Sequence, residues 1–365
     1  MPTRYRAEVV GSFLRPPTLL QSRADYAAGK LKLEELRAAE DRAILSVFDG
    51  QKKAGMQLFT DGELRRGSWL TDMADAVEGF VADKVILDWK GPGGGFEASS
   101  AQAVGAKLKK TRKLTAHELP FLKKSAPGPF KITVPAPSNF MVSSYKRGVS
   151  SKFYPTHAEL LHDLVDIIRD EIKWLVAEGA TYIQLDAPFY SHYVDSIQRG
   201  RLERDGLNPD EEFKKSVAGD NSLLRDIPRG KVTVSTHICR GNSRSRWYTE
   251  GAYDAIAERL FGSLDVDNFL LEYDTARAGG FEPLRLVPRG KTVVLGLVTT
   301  KTPKLESPDD LRRRIDEAAR YVPLENLALS TQCGFASVAA GNLLTMDEQW
   351  RKLELVASVA RKVWG

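Results

Sequence analysis

Cysteine and histidine are scarce in this sequence, two of the first and five of the second among 365 residues. Two cysteines cannot frame a disulfide-held secreted fold, so a reducing cytoplasm is the expected compartment. Long hydrophobic runs are missing as well. No stretch approaches the roughly 18 apolar residues a membrane helix needs, and Arg4 and Arg6 precede only a short apolar segment, so neither secretion nor membrane spanning is expected. Charge of one sign is not concentrated: 53 basic against 48 acidic residues leave a net +5 spread along the chain rather than gathered in a tail. Internal repeats with periods of about 20–50 residues are absent, and low complexity is limited to one glycine run. What is present, 42% hydrophobic and 28% charged residues, suffices for a globular core.

The length fits either two domains or one large α/β barrel. Short β-branched runs that end in polar or glycine-rich residues, each followed by a helical pattern, recur eight times. They are Ala7 to Gly11, Gln57 to Asp61, Phe130 to Pro135, Thr181 to Asp186, Lys231 to His237, Asn268 to Tyr273, Thr292 to Val298 and Leu327 to Gln332. Ser307-Pro308-Asp309-Asp310 opens a helix with a cap, an N1 proline and an acidic first turn, and Thr345 to Val363 reads as a closing amphipathic helix. Eight alternations predict a single α/β domain over residues 1–365, a (β/α)8 TIM barrel, with a doubly wound sheet as the competing topology.

Between the second and third runs the rhythm breaks over residues 81–128. This insertion holds Gly91-Pro92-Gly93-Gly94-Gly95 and a basic stretch of Lys107, Lys109, Lys110, Arg112 and Lys113, followed by Lys123 and Lys124. It reads as an arm over the barrel mouth or at a contact between copies in a homo-oligomer, or as a solvated cationic insertion. Nucleic-acid binding would interleave stacking aromatics with the cations, and only Phe121 lies near, so no nucleic-acid partner is expected.

In a barrel of this type the reactive groups come from the C-terminal ends of several strands. The fifth run ends in His237 and Cys239, the sixth in Glu272 and Asp274, and the eighth leads to Cys333. Residues two apart in an extended segment project to the same side, so His237 and Cys239 can bite one ion. A His-X-Cys pair alone fits two packed core side chains equally well. With Cys333 and Glu272 arriving from nearby strands the set suits tetrahedral Zn²⁺, and Asp274 has the parity to replace Glu272.

These motifs resemble a known family. Gly11-Ser12, Asp61-Gly62-Glu63, Gln184-Leu185-Asp186, His237-Ile238-Cys239-Arg240-Gly241-Asn242, Leu271-Glu272-Tyr273-Asp274, Leu295 to Lys301 and Gln332-Cys333-Gly334-Phe335-Ala336-Ser337 are similar to the C-terminal catalytic barrel of cobalamin-independent methionine synthase, from about Val9 to Trp364. The likeness is greatest to its short, single-barrel homologues. The resemblance implies zinc held by His237, Cys239, Glu272 and Cys333, and methyl transfer to a zinc-activated thiol, that of homocysteine. Two thiolates and a carboxylate outweigh the metal's charge and return electron density to a substrate sulfur, which favours alkyl transfer over hydrolysis. It also implies that Glu63 and Asp186 hold the substrate amine, while Gly11 and Ser12 hold its carboxylate.

The departures are informative too. Full-length members bind a polyglutamyl folate across two barrels, and only the catalytic one is matched here, so a folate, a corrinoid protein and a methyl-sulfur compound all stand as methyl donors. Lys301 occupies the position of the family's proton-delivering histidine, and reads as an acid, an electrostatic aid or a rim lysine. No tryptophan occupies Pro135 to Met141 to stack a pterin, leaving Phe140 or Trp69 for that task. Two rival readings are an epoxyalkane–thiol transferase-like enzyme and a zinc-binding barrel without turnover.

Overall fold

Strands covered on both faces by helices need apolar residues at nearly every position, and β-branched ones fit that surface best. Seven of the eight runs meet this demand in the computed structural model, which describes residues 5–365, apart from the side chains of residues 71 and 72. In chain order the strands are β1 (Ala7–Glu8), β2 (Val77–Trp89), β3 (Gly95–Lys110), β4 (Ile132–Pro135), β5 (Tyr182–Asp186), β6 (Thr233–Ile238), β7 (Asn268–Glu272), β8 (Thr292–Val298) and β9 (Leu327–Thr331). The second and third pair only with each other; the rest form one parallel sheet in the order β1-β9-β8-β7-β6-β5-β4. Each strand from β5 on lies beside its predecessor, and the last returns to the first, Leu329 opposite Ala7. The result is an α/β fold with a curled, TIM-barrel-like parallel sheet.

The expected second strand is the exception. Residues 57–61 make a single parallel bridge, Phe59 with Phe130, instead of a ladder. The reason is local: the Gln51 side chain takes over both backbone groups of Thr60, accepting from its N–H at 3.0 Å and donating to its carbonyl at 2.8 Å. Thr60 Oγ1 meanwhile donates to Gly11 O beyond the end of β1, and Phe13 N donates to Gly62 O. Residues 57–61 therefore lie between β4 and the end of β1, held largely by side chains.

Helices cover the outside. In His157–Ala177, Thr156 caps the start through its side chain, and Leu160, Leu164, Ile168, Ile172 and Leu175 recur at helical spacing and are buried. Burying such a side chain contributes about 1.5–3 kcal/mol, enough to fix the helix face without help from propensity. Both helices anticipated from capping chemistry form: Ser307 caps Pro308–Ala318, and Thr345 and Glu348 make a reciprocal capping box at the start of Met346–Trp364.

The break in the rhythm is an antiparallel hairpin of β2 and β3, which begins at Val77, four residues before the expected insertion. Its cations are largely spoken for. Lys110 reaches Asp170 at 2.6 Å and Glu171 at 3.1 Å, Lys113 reaches Asp170 at 2.7 Å, and Lys107 sits 3.8 Å from the centre of the Tyr154 ring. At the other end the hairpin tip docks on the loop after β6. Lys90 exchanges backbone hydrogen bonds with Trp247, and Arg246 pairs with Glu97 at 2.6 Å while stacking on Trp89.

Candidate metal centre

The C-terminal ends of β5, β6, β7 and β9 converge at the mouth of the sheet. His237 is the fifth residue of β6, and its alternation with Cys239 brings both side chains to the interior. Cys333, two residues beyond β9, completes a buried group: one donor atom from each of His237, Cys239 and Cys333 lies within 4.8 Å of the other two.

Second partners set the polarity of this group. His237 Nδ1 lies 3.2 Å from Asp186 Oδ1, the arrangement by which a carboxylate fixes a ligating imidazole. The other ring nitrogen, Nε2, is buried with no hydrogen-bond partner. A hydrogen bond from Cys239, reinforced by His237, holds the Cys333 thiol well below its ordinary range against the effect of burial, and the same bond with burial pushes Cys239 well up. Burial would lower His237, but the Cys333 and Asp186 charges outweigh it and push it up to about 10. An orphaned imidazole nitrogen facing two soft sulfur donors fits zinc, which would take the place of the protons that now bind the cluster.

Glu272, the fourth expected ligand, lies outside this group. Its Oε2 accepts from Arg240 N at 3.0 Å and its Oε1 from Arg277 Nε at 2.6 Å. Arg277 also grips Asp274 at 2.6 and 2.8 Å, so both acids of the β7 end are tied to one guanidinium. Nothing in the sequence around Arg277 signals this, because the partner comes from the turn after the strand.

Lys301 is buried, with its ammonium directed at three protein acceptors: Gly241 O at 2.8 Å, Asn242 Oδ1 at 2.9 Å and Arg246 O at 3.2 Å. Three donors meet three acceptors, so it fastens the loop that follows Cys239. Burial lowers its pKa, opposed by the charges of Glu272 and Cys333.

Glu63 and Asp186 feel each other's charge, and Asp61 adds to it. Glu63 has φ of 56°, a left-handed conformation that a non-glycine residue holds only under local restraint, here its N–H donating to Asp61 Oδ1 at 2.9 Å. Its Oε1 accepts from Thr133 Oγ1 at 3.0 Å, and burial together with the Asp186 and Asp61 charges, against Arg66, raises it to about 7. Asp61 is the addition: its Oδ2 is buried without a partner, and burial and Glu118 push it up to about 6. Gly11 is required beside them, since a Cβ there would stand 2.9 Å from Glu63 Oε1. Ser12 packs against Gly334, bringing the ends of β1 and β9 together.

Of the two aromatic candidates, Phe140 is buried against Phe80. Trp69 instead begins a row of rings through Phe189, His192, Tyr248 and Trp89, with successive centroids 4.8–5.8 Å apart.

Residues 5–361 match the family described as the catalytic domain of cobalamin-independent synthase. The chain belongs to the cobalamin-independent methionine synthase family. That is a family of methyltransferases, and its match covers every strand described above. Among relatives, an uncharacterized Bacillus subtilis protein, YxjG, is 37% identical over 99% of this chain and 95% of its own length. The methionine synthase of Saccharolobus solfataricus is 27% identical over 93% of this chain and 92% of its own. Among solved structures, a putative vitamin-B12-independent methionine synthase from Listeria monocytogenes superposes with a TM-score of 0.76 at 26% identity, covering 100% of this chain and 99% of that one. As in any family of this fold, the chemistry resides in the residues at the strand ends. No helix among the described residues is long and apolar enough to cross a membrane.

Proposed function

We propose that this member of the cobalamin-independent methionine synthase family transfers a methyl group to the thiol of homocysteine, giving methionine, at a zinc site made by His237, Cys239 and Cys333. The observation that carries the reading is the buried cluster of those three residues with His237 Nε2 unpartnered, in a chain matched along nearly its whole length by the family. Glu272 is the candidate for the fourth donor, its two oxygens each already accepting one hydrogen bond, from Arg240 N and Arg277 Nε. Zinc, when bound, keeps the substrate sulfur deprotonated at neutral pH.

The rest of the reaction belongs to the chain's own groups. Asp186 offers its Oδ2 to the substrate ammonium, since Oδ1 is occupied by His237 and Gln184. Glu63, poised near 7, joins it from the opposite side, and Asp61 adds negative charge. Gly11 and Ser12 face the substrate carboxylate with a backbone N–H and a hydroxyl. Lys301 holds the loop that carries Cys239, and the Trp69–Phe189 pair offers ring faces to a flat donor, which supports a methylated folate. We read the chain as one catalytic barrel working in the cytoplasm, with residues 57–61 standing as its eighth stave and the hairpin folded beside the mouth.

The test is metal analysis of the purified protein, followed by methyl transfer to homocysteine from methylated folate, a methylated corrinoid protein and a methyl-sulfur compound in turn. One zinc per chain and methionine from one of these donors are expected. A well-folded protein that neither retains zinc nor gains activity with it would overturn the reading. Zinc-dependent alkylation of other thiols, but not of homocysteine, would replace the acceptor.

A further inference from the structure

A line of buried polar side chains runs through the interior of the sheet and ends at the metal cluster. At its far end the Tyr182 hydroxyl lies 2.9 and 3.0 Å from the two oxygens of Glu8. Lys131 Nζ donates to Glu8 Oε2 at 3.1 Å and to Gln184 Oε1 at 2.8 Å. Gln184 Nε2 donates to Val10 O and to Asp186 Oδ1, both at 2.8 Å, and Asp186 Oδ1 meets His237 Nδ1. All six side chains are buried. The alternation of β5 places residues 182, 184 and 186 on the one inner face, which lines up the series.

Direction is built into this series. An ammonium has protons to give and a carbonyl has only lone pairs, whereas a glutamine amide has one of each end. Turning the Gln184 amide over would set its NH₂ against the Lys131 ammonium and its oxygen against both Val10 O and Asp186. The amide is therefore locked with Nε2 toward Asp186, and that carboxylate is held in place to accept from His237 Nδ1. His237 Nε2 is then turned toward the two sulfurs.

We propose that Lys131 is a positioning residue: acting through Gln184 and Asp186, it fixes the His237 ring so that Nε2 faces Cys239 and Cys333. The orienting role stands on the hydrogen bonds alone, and only its consequence for zinc rests on the metal reading above.

Gln184→Glu is the sharpest probe, because it keeps the shape and the Lys131 contact and removes the donation of Nε2 to Asp186 and to Val10 O. Lys131→Met removes the source, and Glu171→Gln, a buried carboxylate at the base of the hairpin, controls for general loss of stability. Two readouts are taken on each: the His237 ring nitrogen shifts in zinc-free protein, and zinc affinity by chelator competition. Gln184→Glu should move the His237 shifts and weaken zinc by about 10- to 100-fold, the usual effect of losing a group that orients a ligand. Lys131→Met, one bond further away, should move them less and weaken zinc by roughly 3- to 10-fold. Glu171→Gln should change neither. Unchanged His237 shifts in both Gln184→Glu and Lys131→Met would overturn the proposal. If the wild-type protein takes up no zinc, the metal reading fails by itself, and the zinc-free shifts still decide whether the series orients His237.

Discussion

Replacing Lys301 by methionine separates a proton donor from a clasp. The side chain keeps its length and its burial, and loses three hydrogen bonds to Gly241 O, Asn242 Oδ1 and Arg246 O. Asn242 Oδ1 retains a donor in Asn342 Nδ2 at 2.8 Å and Arg246 O retains Ser243 N at 3.3 Å, so one carbonyl, that of Gly241, loses this partner without a ready substitute. One buried acceptor left unsatisfied costs about 1–3 kcal/mol. Set against the 5–15 kcal/mol typical of a whole domain, that loosens the loop after Cys239 before the rest unfolds. The assay pairs hydrogen exchange of residues 240–248 with the pH profile of methyl transfer. The clasp predicts fast exchange in that loop, weaker zinc retention and a lower rate at every pH, with the profile unchanged in shape. A Lys301→Met protein with native exchange and full zinc, but with the acidic-group limb of its pH–rate profile gone, would refute the argument and make Lys301 the proton donor.

Further outcomes follow from the same geometry. Asp186→Asn retains an oxygen for His237 Nδ1 but removes its charge, and chelator competition without thiol should show about 10- to 100-fold weaker zinc binding; unchanged affinity would detach Asp186 from the cluster. Asp220 is buried, accepts from Ser138 and Tyr190, and is raised by burial from 3.8 to about 6. The folded state thus binds this proton more tightly than the unfolded one, and the stability it lends is full below about 4 and is lost as pH rises through 6. Asp220→Asn should flatten that dependence, gaining roughly 1–3 kcal/mol on the wild type between pH 5 and 8 in denaturant titrations. In Gly334→Ala the new methyl would fall 1.9 Å from Ser12 Oγ. Denaturation should show a loss of about 1–3 kcal/mol, partly recovered in Ser12→Ala/Gly334→Ala, and no recovery would mean that the backbone rather than the hydroxyl is the obstacle.

The strands were legible because short runs rich in β-branched and apolar residues, each ending in polar or glycine-rich ones, recur along the chain. Residues 57–61 carry the same mark, yet Gln51 intercepts their backbone from a neighbouring helix, and no local pattern reveals a glutamine nine residues away. The insertion reads as an arm, but the bounds of its strands are hidden for the opposite reason: Ala98 to Val104 is rich in alanine and serine, and the pairing is stabilised by docking at both ends rather than by strand propensity. At the site, the parity of His237 and Cys239 and the isolation of Cys333 were enough to bring three donors together. Glu272 fits the same parity, and the partners that turn it aside, Arg240 N and Arg277, depend on the course of two loops. Lys301 reads in the sequence as an acid, an electrostatic aid or a rim lysine, and its three acceptors, all from one distant loop, leave no local mark.

The cluster draws its donors from widely separated parts of the chain. His237 and Cys239 leave the ribosome together, but Cys333 follows roughly ninety residues later, a delay of about 5–20 s at ordinary rates of synthesis. Throughout that interval the nascent chain carries two of the three donors, and on the proposed zinc reading a two-donor site would discriminate poorly among metals. Emergence of β9, which also joins β1, completes the cluster and the sheet in the same step. On the proposed zinc reading, selection of the ion is thereby postponed until β9 has been made.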